Sequence, residues 1–349
     1  MSTPIIRRPS VRSGIVLAAA LVVATAFAGC SGGSGSGTTI TLYSGQHEET
    51  TQALVASFEK QSGIKVKVRS ADEDVLTAAI EQEGSRTPAD VFFTENSNWL
   101  AQLDERHLLA HAAAAALAPI PTADSASDGD WVGISARVSV MIYDPAKLTA
   151  SQLPTSILDL ADPKWKGKIE LAPSETDFWP LVSSVARSKG DAAALAWLAG
   201  LKANAGSNGN VPDNETITSD VSQGRTELAV INHYYYYRLQ AEVGASNVHA
   251  ALAYFAPGDP GYVLDVSAGG VLASSKHQAA AQSFLEFLTG QAGQTILAHS
   301  DSFEYPLNAA VAANPVLPPL SGLHPSSFTV NELGDGLDAK KLLQQAQLL

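Results

Sequence analysis

Three short stretches of this 349-residue chain place metal-type donors directly after apolar runs. Ser44-Gly45-Gln46-His47 follows the run 39–43, Thr94-Glu95-Asn96 follows 89–93, and Asn232, His233 and Tyr234 to Tyr237 follow 226–231. Together they offer imidazole, carboxylate and phenol. A carboxylate and two phenolates carry three negative charges, which match a trivalent ion. Ferric iron is a hard cation that favours oxygen donors and tolerates imidazole. A phenol with an ordinary pKa of about 10 ionises once such a cation coordinates it, by the logic of a metal-bound water or thiol. Calcium or magnesium would call for more carboxylates and carbonyls. Zinc would call for Cys, His and carboxylate. Read singly, each residue also has a plainer role. His47 can open a helix, Glu95 can cap one or face solvent, and adjacent tyrosines can be core or sugar-stacking rings.

The elements that must position these groups follow from periodicity. Runs 39–43, 64–68, 89–93, 131–143 and 226–232 read as strands. Segments 49–61 and 74–83 have helical spacing, the second with Val75, Leu76, Ala79 and Ile80 on one face. The Ala-rich segment 107–117 and segments 283–288 and 340–349 also read as helices, 124–130 as a polar loop, and 315–325 as a Pro-rich connection. This strand–helix rhythm predicts parallel-rich α/β sheets, in which ligands gather at the carboxyl ends of strands. Tyr234 and Tyr235 lie nearest a strand end and form the better donor pair. Tyr236 and Tyr237 are assigned to the following helix.

The amino terminus has the form of a secretory leader. Arg7, Arg8 and Arg12 precede an apolar run over 15–27, which closes on Ala28-Gly29-Cys30. Small residues before a lone Cys resemble a bacterial lipobox, although Phe27 stands where an aliphatic residue is usual. Cys30 is the chain's single cysteine, so no intrachain disulfide or thiolate cluster forms. Gly and Ser fill 31–37, a flexible tether. The formal charge is −13, and taking off the three leader arginines leaves −16. That surface argues against nucleic acid as a partner.

The chain resembles the periplasmic ferric-ion-binding proteins of bacterial iron ABC importers. The resemblance rests on Tyr43-Ser-Gly-Gln-His-Glu48, Glu83-Gly-Ser-Arg-Thr-Pro-Ala-Asp-Val-Phe92, Asp162-Pro-Lys-Trp-Lys-Gly167, Ile231-Asn-His-Tyr-Tyr235 and Glu304-Tyr-Pro-Leu-Asn308. It implies a type II-like periplasmic-binding-protein fold: two α/β lobes joined by crossover strands, with a ligand cleft between them. The expected division is 1–29 signal peptide, 30–37 lipidated Cys and tether, 38–137 plus 265–310 for one lobe, and 138–264 plus 311–349 for the other. The implied iron ligands are His47, Glu95, Tyr234 and Tyr235.

The resemblance also implies a synergistic anion in the remaining coordination positions: carbonate, phosphate or an organic acid. The matching residues are Ser174 and Thr176 in the loop 173–178, with Asn214, Asn232 and Arg137. A loop that opens a helix can offer N–H groups to an anion. Glu175 and Asp177 would repel phosphate if they point inward, and an interlobe ion pair is the plainer role for Arg137. The implied partners are an importer permease and its ATPase, with the membrane met through the lipid anchor alone and the protein a monomer. Two rivals remain: the same fold holding an organic anion or polyamine, and a ferric enzyme with two His and two Tyr, which needs His233 to turn inward. A zinc protease is excluded, because Thr51 stands where a second His is required.

Overall fold

Nine strands carry the architecture: β1 (Thr39–Ser44), β2 (Lys65–Ser70), β3 (Val91–Thr94), β4 (Leu109–Ala110), β5 (Val132–Tyr143), β6 (Leu228–Asn232), β7 (Ala251–Ala253), β8 (Leu264–Leu272) and β9 (Tyr305–Pro306). They are seen in a computed structural model that describes residues 37–349. The expected leader, the expected lipidation site at Cys30 and the expected tether up to Ser36 lie outside the described residues. The strand order is β2-β1-β3-β8-β5-β6, with β4 beside β8 and with β7 and β9 beside β5.

Strand β5 decides the shape. All but its last residue are buried, as expected for a strand covered on both faces. Val132–Val138 pairs antiparallel with β8, whereas Ser139–Tyr143 pairs with β6. The same strand therefore leaves one sheet and enters a second. Strand β8 returns the chain to β3. These crossovers produce a mixed sheet. Only β1 runs parallel to its neighbours β2 and β3, and the other named pairs are antiparallel. The expected parallel-rich sheet is thus confined to three strands, because both crossover strands run against their neighbours.

Helix Glu48–Ser62 buries Leu54, Val55 and Phe58 and stops at Gly63. There a φ of 73° lets the glycine N–H close on the Glu59 carbonyl. Phe58 packs edge-on against Phe284, centroids 4.9 Å apart. Burying a ring of that size is worth about 1.5–3 kcal/mol.

Three expectations need correction. Val75 does not share the buried face of helix Glu73–Glu83: it is 49 % exposed, and Glu73, Leu76, Thr77 and Ile80 are buried instead. The segment 107–117 is not one helix. His107 takes a φ of 54°, Leu109–Ala110 pairs with β8, and only Ala114–Leu117 is helical. A sheet partner outweighed the helical preference of alanine. Finally, the helix after β6 spans His233–Val243, so Tyr234 and Tyr235 sit on its first turn and not at the end of a strand.

Candidate metal centre

His47 and Glu95 stand on the loops after β1 and β3, two neighbouring parallel strands. Tyr234 and Tyr235 come from the helix that follows β6, on the far side of the β5 crossover. The two sets meet. The Tyr234 hydroxyl donates to Glu95 Oε1 at 2.7 Å and to Asp177 Oδ2 at 3.0 Å. The Tyr235 hydroxyl donates to the same Asp177 oxygen at 2.8 Å. His47 Nε2 lies 3.4 Å from Glu95 Oε1 and is buried without a hydrogen-bond partner. Its ring meets Tyr234 edge-on, centroids 5.6 Å apart. A buried, unpartnered ring nitrogen beside a carboxylate and a tyrosine fits a cation bound among them.

The loops are held from behind. The Gln46 side-chain oxygen accepts the His47 N–H at 2.7 Å, and its Nε2 donates to Ser267 at 3.2 Å and Glu304 at 3.1 Å. Gly45 is required, because a Cβ there would lie 2.5 Å from Glu73 Cγ. Arg137, on β5 and fully buried, donates to the Glu95 carbonyl and to Asn96 Oδ1. It pairs with Asp265 at 2.9 Å, Asp177 at 3.5 Å and Glu304 at 3.7 Å. Burial opposes its charge, but these carboxylates more than offset that, and its pKa stands well above the ordinary value.

Burial, then the charges of Asp177 and Glu95, push both phenols well above their usual pKa. Burial also raises Glu304 to about 7, against the pull of Arg137. Glu175 rises to about 8 through burial and the neighbouring Asp177, Glu215, Glu95 and Asp213. Without metal, the site is therefore a set of neutral phenols hydrogen-bonded to carboxylates.

The anion-site candidates do not all share one cavity. The guanidinium of Arg137 is taken up by carboxylates and by Glu95 and Asn96. The Thr176 hydroxyl accepts from Asn96 Nδ2 at 3.0 Å and donates to Glu73 at 3.3 Å. Asn214 and Asn232 line a void of about 10 Å³ with Ser139 and Asp177, which holds at most about one water. Ser174 and Thr176 line a cavity of about 510 Å³ together with Glu95, Glu73 and Glu175. The reason is Asp177, whose carboxylate sits between both tyrosines and Arg137. Its loop was singled out for chemistry, but its inward direction is decided by the Thr176–Phe178 turn that leads into helix Trp179–Lys189.

His233 stays away from the donors. It is fully buried, and Nε2 shares a 2.9 Å hydrogen bond with the Phe303 carbonyl. Nδ1 accepts the Val138 N–H at 3.3 Å. Burial holds it neutral, with a pKa near 3. Tyr236 accepts from Gln240 at 2.9 Å, and Tyr237 stacks on Phe303 at 6.1 Å. Neither makes a hydrogen bond with the four donors.

A crossover-strand α/β fold whose opposed halves each deliver donors to one cleft defines a two-lobed periplasmic binding protein. The chain belongs to the bacterial extracellular solute-binding proteins, whose family model matches residues 53–319. It is 41 % identical over 310 residues to the Fe(3+)-binding periplasmic protein of Serratia marcescens, covering 89 % of this chain and 90 % of that one. It is 37 % identical over 312 residues to the major ferric iron-binding protein of Neisseria meningitidis, covering 88 % and 92 %. Its structure is similar to iron-bound HitA from Pseudomonas aeruginosa, with TM-score 0.84, 38 % identity and coverage of 88 % and 99 %.

Proposed function

We propose that this protein captures ferric iron outside the cytoplasm with His47, Glu95, Tyr234 and Tyr235 and delivers it to an ABC importer. It is a solute-binding protein and not an enzyme. The observation that carries the reading is the meeting of the four donors from opposite halves of the fold, with His47 Nε2 left unpartnered.

Asp177 is the fifth donor in this reading. Glu95 and two phenolates neutralise the ion, and Asp177 adds one more negative charge, which Arg137 offsets from beneath. A further anion would enter beside the Asp177 carboxylate, where it is disfavoured. One octahedral position then remains, which water can fill. We divide the lobes at 38–137 plus 265–310 and 138–264 plus 311–349. This division has the support that β5 changes partner between Val138 and Ser139. The lobes close by hinge motion over the ion, so that a permease can tell loaded from empty protein.

Cys30 is the proposed lipid anchor. A Cys30→Ala chain should leave the membrane fraction, and unchanged retention would point to another anchor. Iron capture is tested by loading the protein with ferric citrate and desalting. The expected result is bound iron with a visible phenolate-to-iron charge-transfer band. A colourless, iron-free protein would overturn the reading.

A further inference from the structure

One buried carboxylate outside the donor set touches all three loops that carry His47, Glu95 and Asp177. Glu73 opens helix Glu73–Glu83 and is 7 % exposed. Its Oε1 accepts the Asn96 N–H at 2.7 Å, one residue past Glu95. Its Oε2 accepts Asn96 Nδ2 at 3.0 Å and the Thr176 hydroxyl at 3.3 Å, one residue before Asp177. Its Cγ fills the space a side chain on Gly45 would need, two residues before His47. Asn96 completes the arrangement. Its Nδ2 also donates to Thr176 at 3.0 Å, and its Oδ1 accepts from Arg137.

Glu73 and Asn96 belong to the β1–β3 side of the cleft, and Thr176 to the side beyond the β5 crossover. Trp99 and Trp179 face each other along the same seam, centroids 5.6 Å apart. Glu73 makes no hydrogen bond to any of the four donors, and both of its oxygens are already occupied. Its contacts run to the backbone and side chains that hold the donors in place.

We infer that Glu73, Asn96 and Thr176 form a cross-cleft clasp that positions the ligand loops and holds the cleft shut over the ion. The inference rests on the iron-capture reading. Because Thr176 lies across the cleft from Glu73 and Asn96, opening would break the two bonds of its hydroxyl, so they contribute to closure without contributing to coordination. Removing them should speed opening while leaving the metal's surroundings as they were.

The test compares the full chain with Thr176→Val, which keeps shape but loses the hydroxyl, and Thr176→Ser, which restores it. Each is loaded with ferric iron, and the decay of the visible band is followed in excess EDTA. Thr176→Val should keep the band position and the melting temperature of the metal-free protein. It should release iron about fivefold to tenfold faster, the effect of one or two modest hydrogen bonds. Thr176→Ser should return to the wild-type rate. Glu73→Ala, which removes both side-chain oxygens that meet Asn96 and Thr176, should also accelerate release. Wild-type iron binding with an unchanged release rate in Thr176→Val overturns the clasp alone. A wild-type chain with no band overturns both the clasp and the iron reading. A shifted band in Thr176→Val would mean that the hydroxyl acts on coordination and not on closure.

Discussion

The two halves of the proposed metal centre are prepared in opposite ways. His47 and Glu95 sit on strand-end loops, and their side chains are 13 % and 18 % exposed. Tyr234 and Tyr235 sit on a helical turn, 0 % and 6 % exposed, with both hydroxyls committed to Asp177. The first half is partly open to water, although its His47 Nε2 is buried. The second presents buried acids that must lose protons before they can bind. The cost of ionising two phenols is met only when a highly charged cation replaces both protons, which is a basis for preferring a trivalent ion.

The sharpest way to break this comparison is to remove one phenol oxygen at a time. Tyr234→Phe and Tyr235→Phe keep the ring and the packing. Each should weaken iron binding by more than about 100-fold, beyond the range typical of losing an outer-shell partner, and should shift or abolish the visible band. Titration with ferric citrate followed at that band is the measurement. A similar loss of colour from His47→Ala would contradict the contrast, because imidazole does not carry the transition.

Proton release tests the same point. Both phenols have raised pKa values, so they are protonated at neutral pH and iron must displace them. Affinity should fall by about 100-fold for each unit that pH drops near neutrality, as two displaced protons require. Proton release on iron binding, measured calorimetrically in buffers of different ionisation enthalpy, checks the number.

Asp177→Asn sharpens the comparison on the buried side. The amide keeps its shape but loses the charge that faces Arg137 and both tyrosines. Iron affinity should fall by about 10–100-fold, with the band retained. Retention of full affinity would return the fifth position to an exogenous anion.

The metal-free protein should respond to pH in the opposite sense. Glu73 and Glu175, raised to about 8, and Glu304, raised to about 7, hold protons in the fold that the unfolded chain has lost. The stability they contribute is present at low pH and is lost as pH rises toward 8. His233, lowered to about 3, acts only below its unfolded pKa near 6.5. Melting temperature without iron should therefore decline between pH 6.5 and 8. The smallest effect is reserved for Tyr236→Phe and Tyr237→Phe, whose hydroxyls lie outside the site. Each should change iron affinity by less than about twofold, within the scatter of ordinary surface changes.

That His47, Glu95 and the tyrosine pair lie near one another was legible in the sequence because segments that follow strands in α/β sheets converge, and a period of two or of 3.6 residues marks where strands end. The expectations of a leader and of a lipid anchor at Cys30 rest on local patterns alone. Asp177 was visible as a residue but not as a donor. Nothing in Glu175-Thr176-Asp177 says which carboxylate turns toward the tyrosines. That depends on a turn anchored by Glu73 and Asn96, which lie 103 and 80 residues away from Thr176 in the chain. The role of Arg137 was likewise undetermined, because a charge is an ion pair or an anion site according to what surrounds it. Local sequence determined which groups were available and roughly where each strand and helix began. The crossover of β5 from one sheet to the other decided which groups meet, because only long-range pairing brings Tyr234 within 2.7 Å of Glu95.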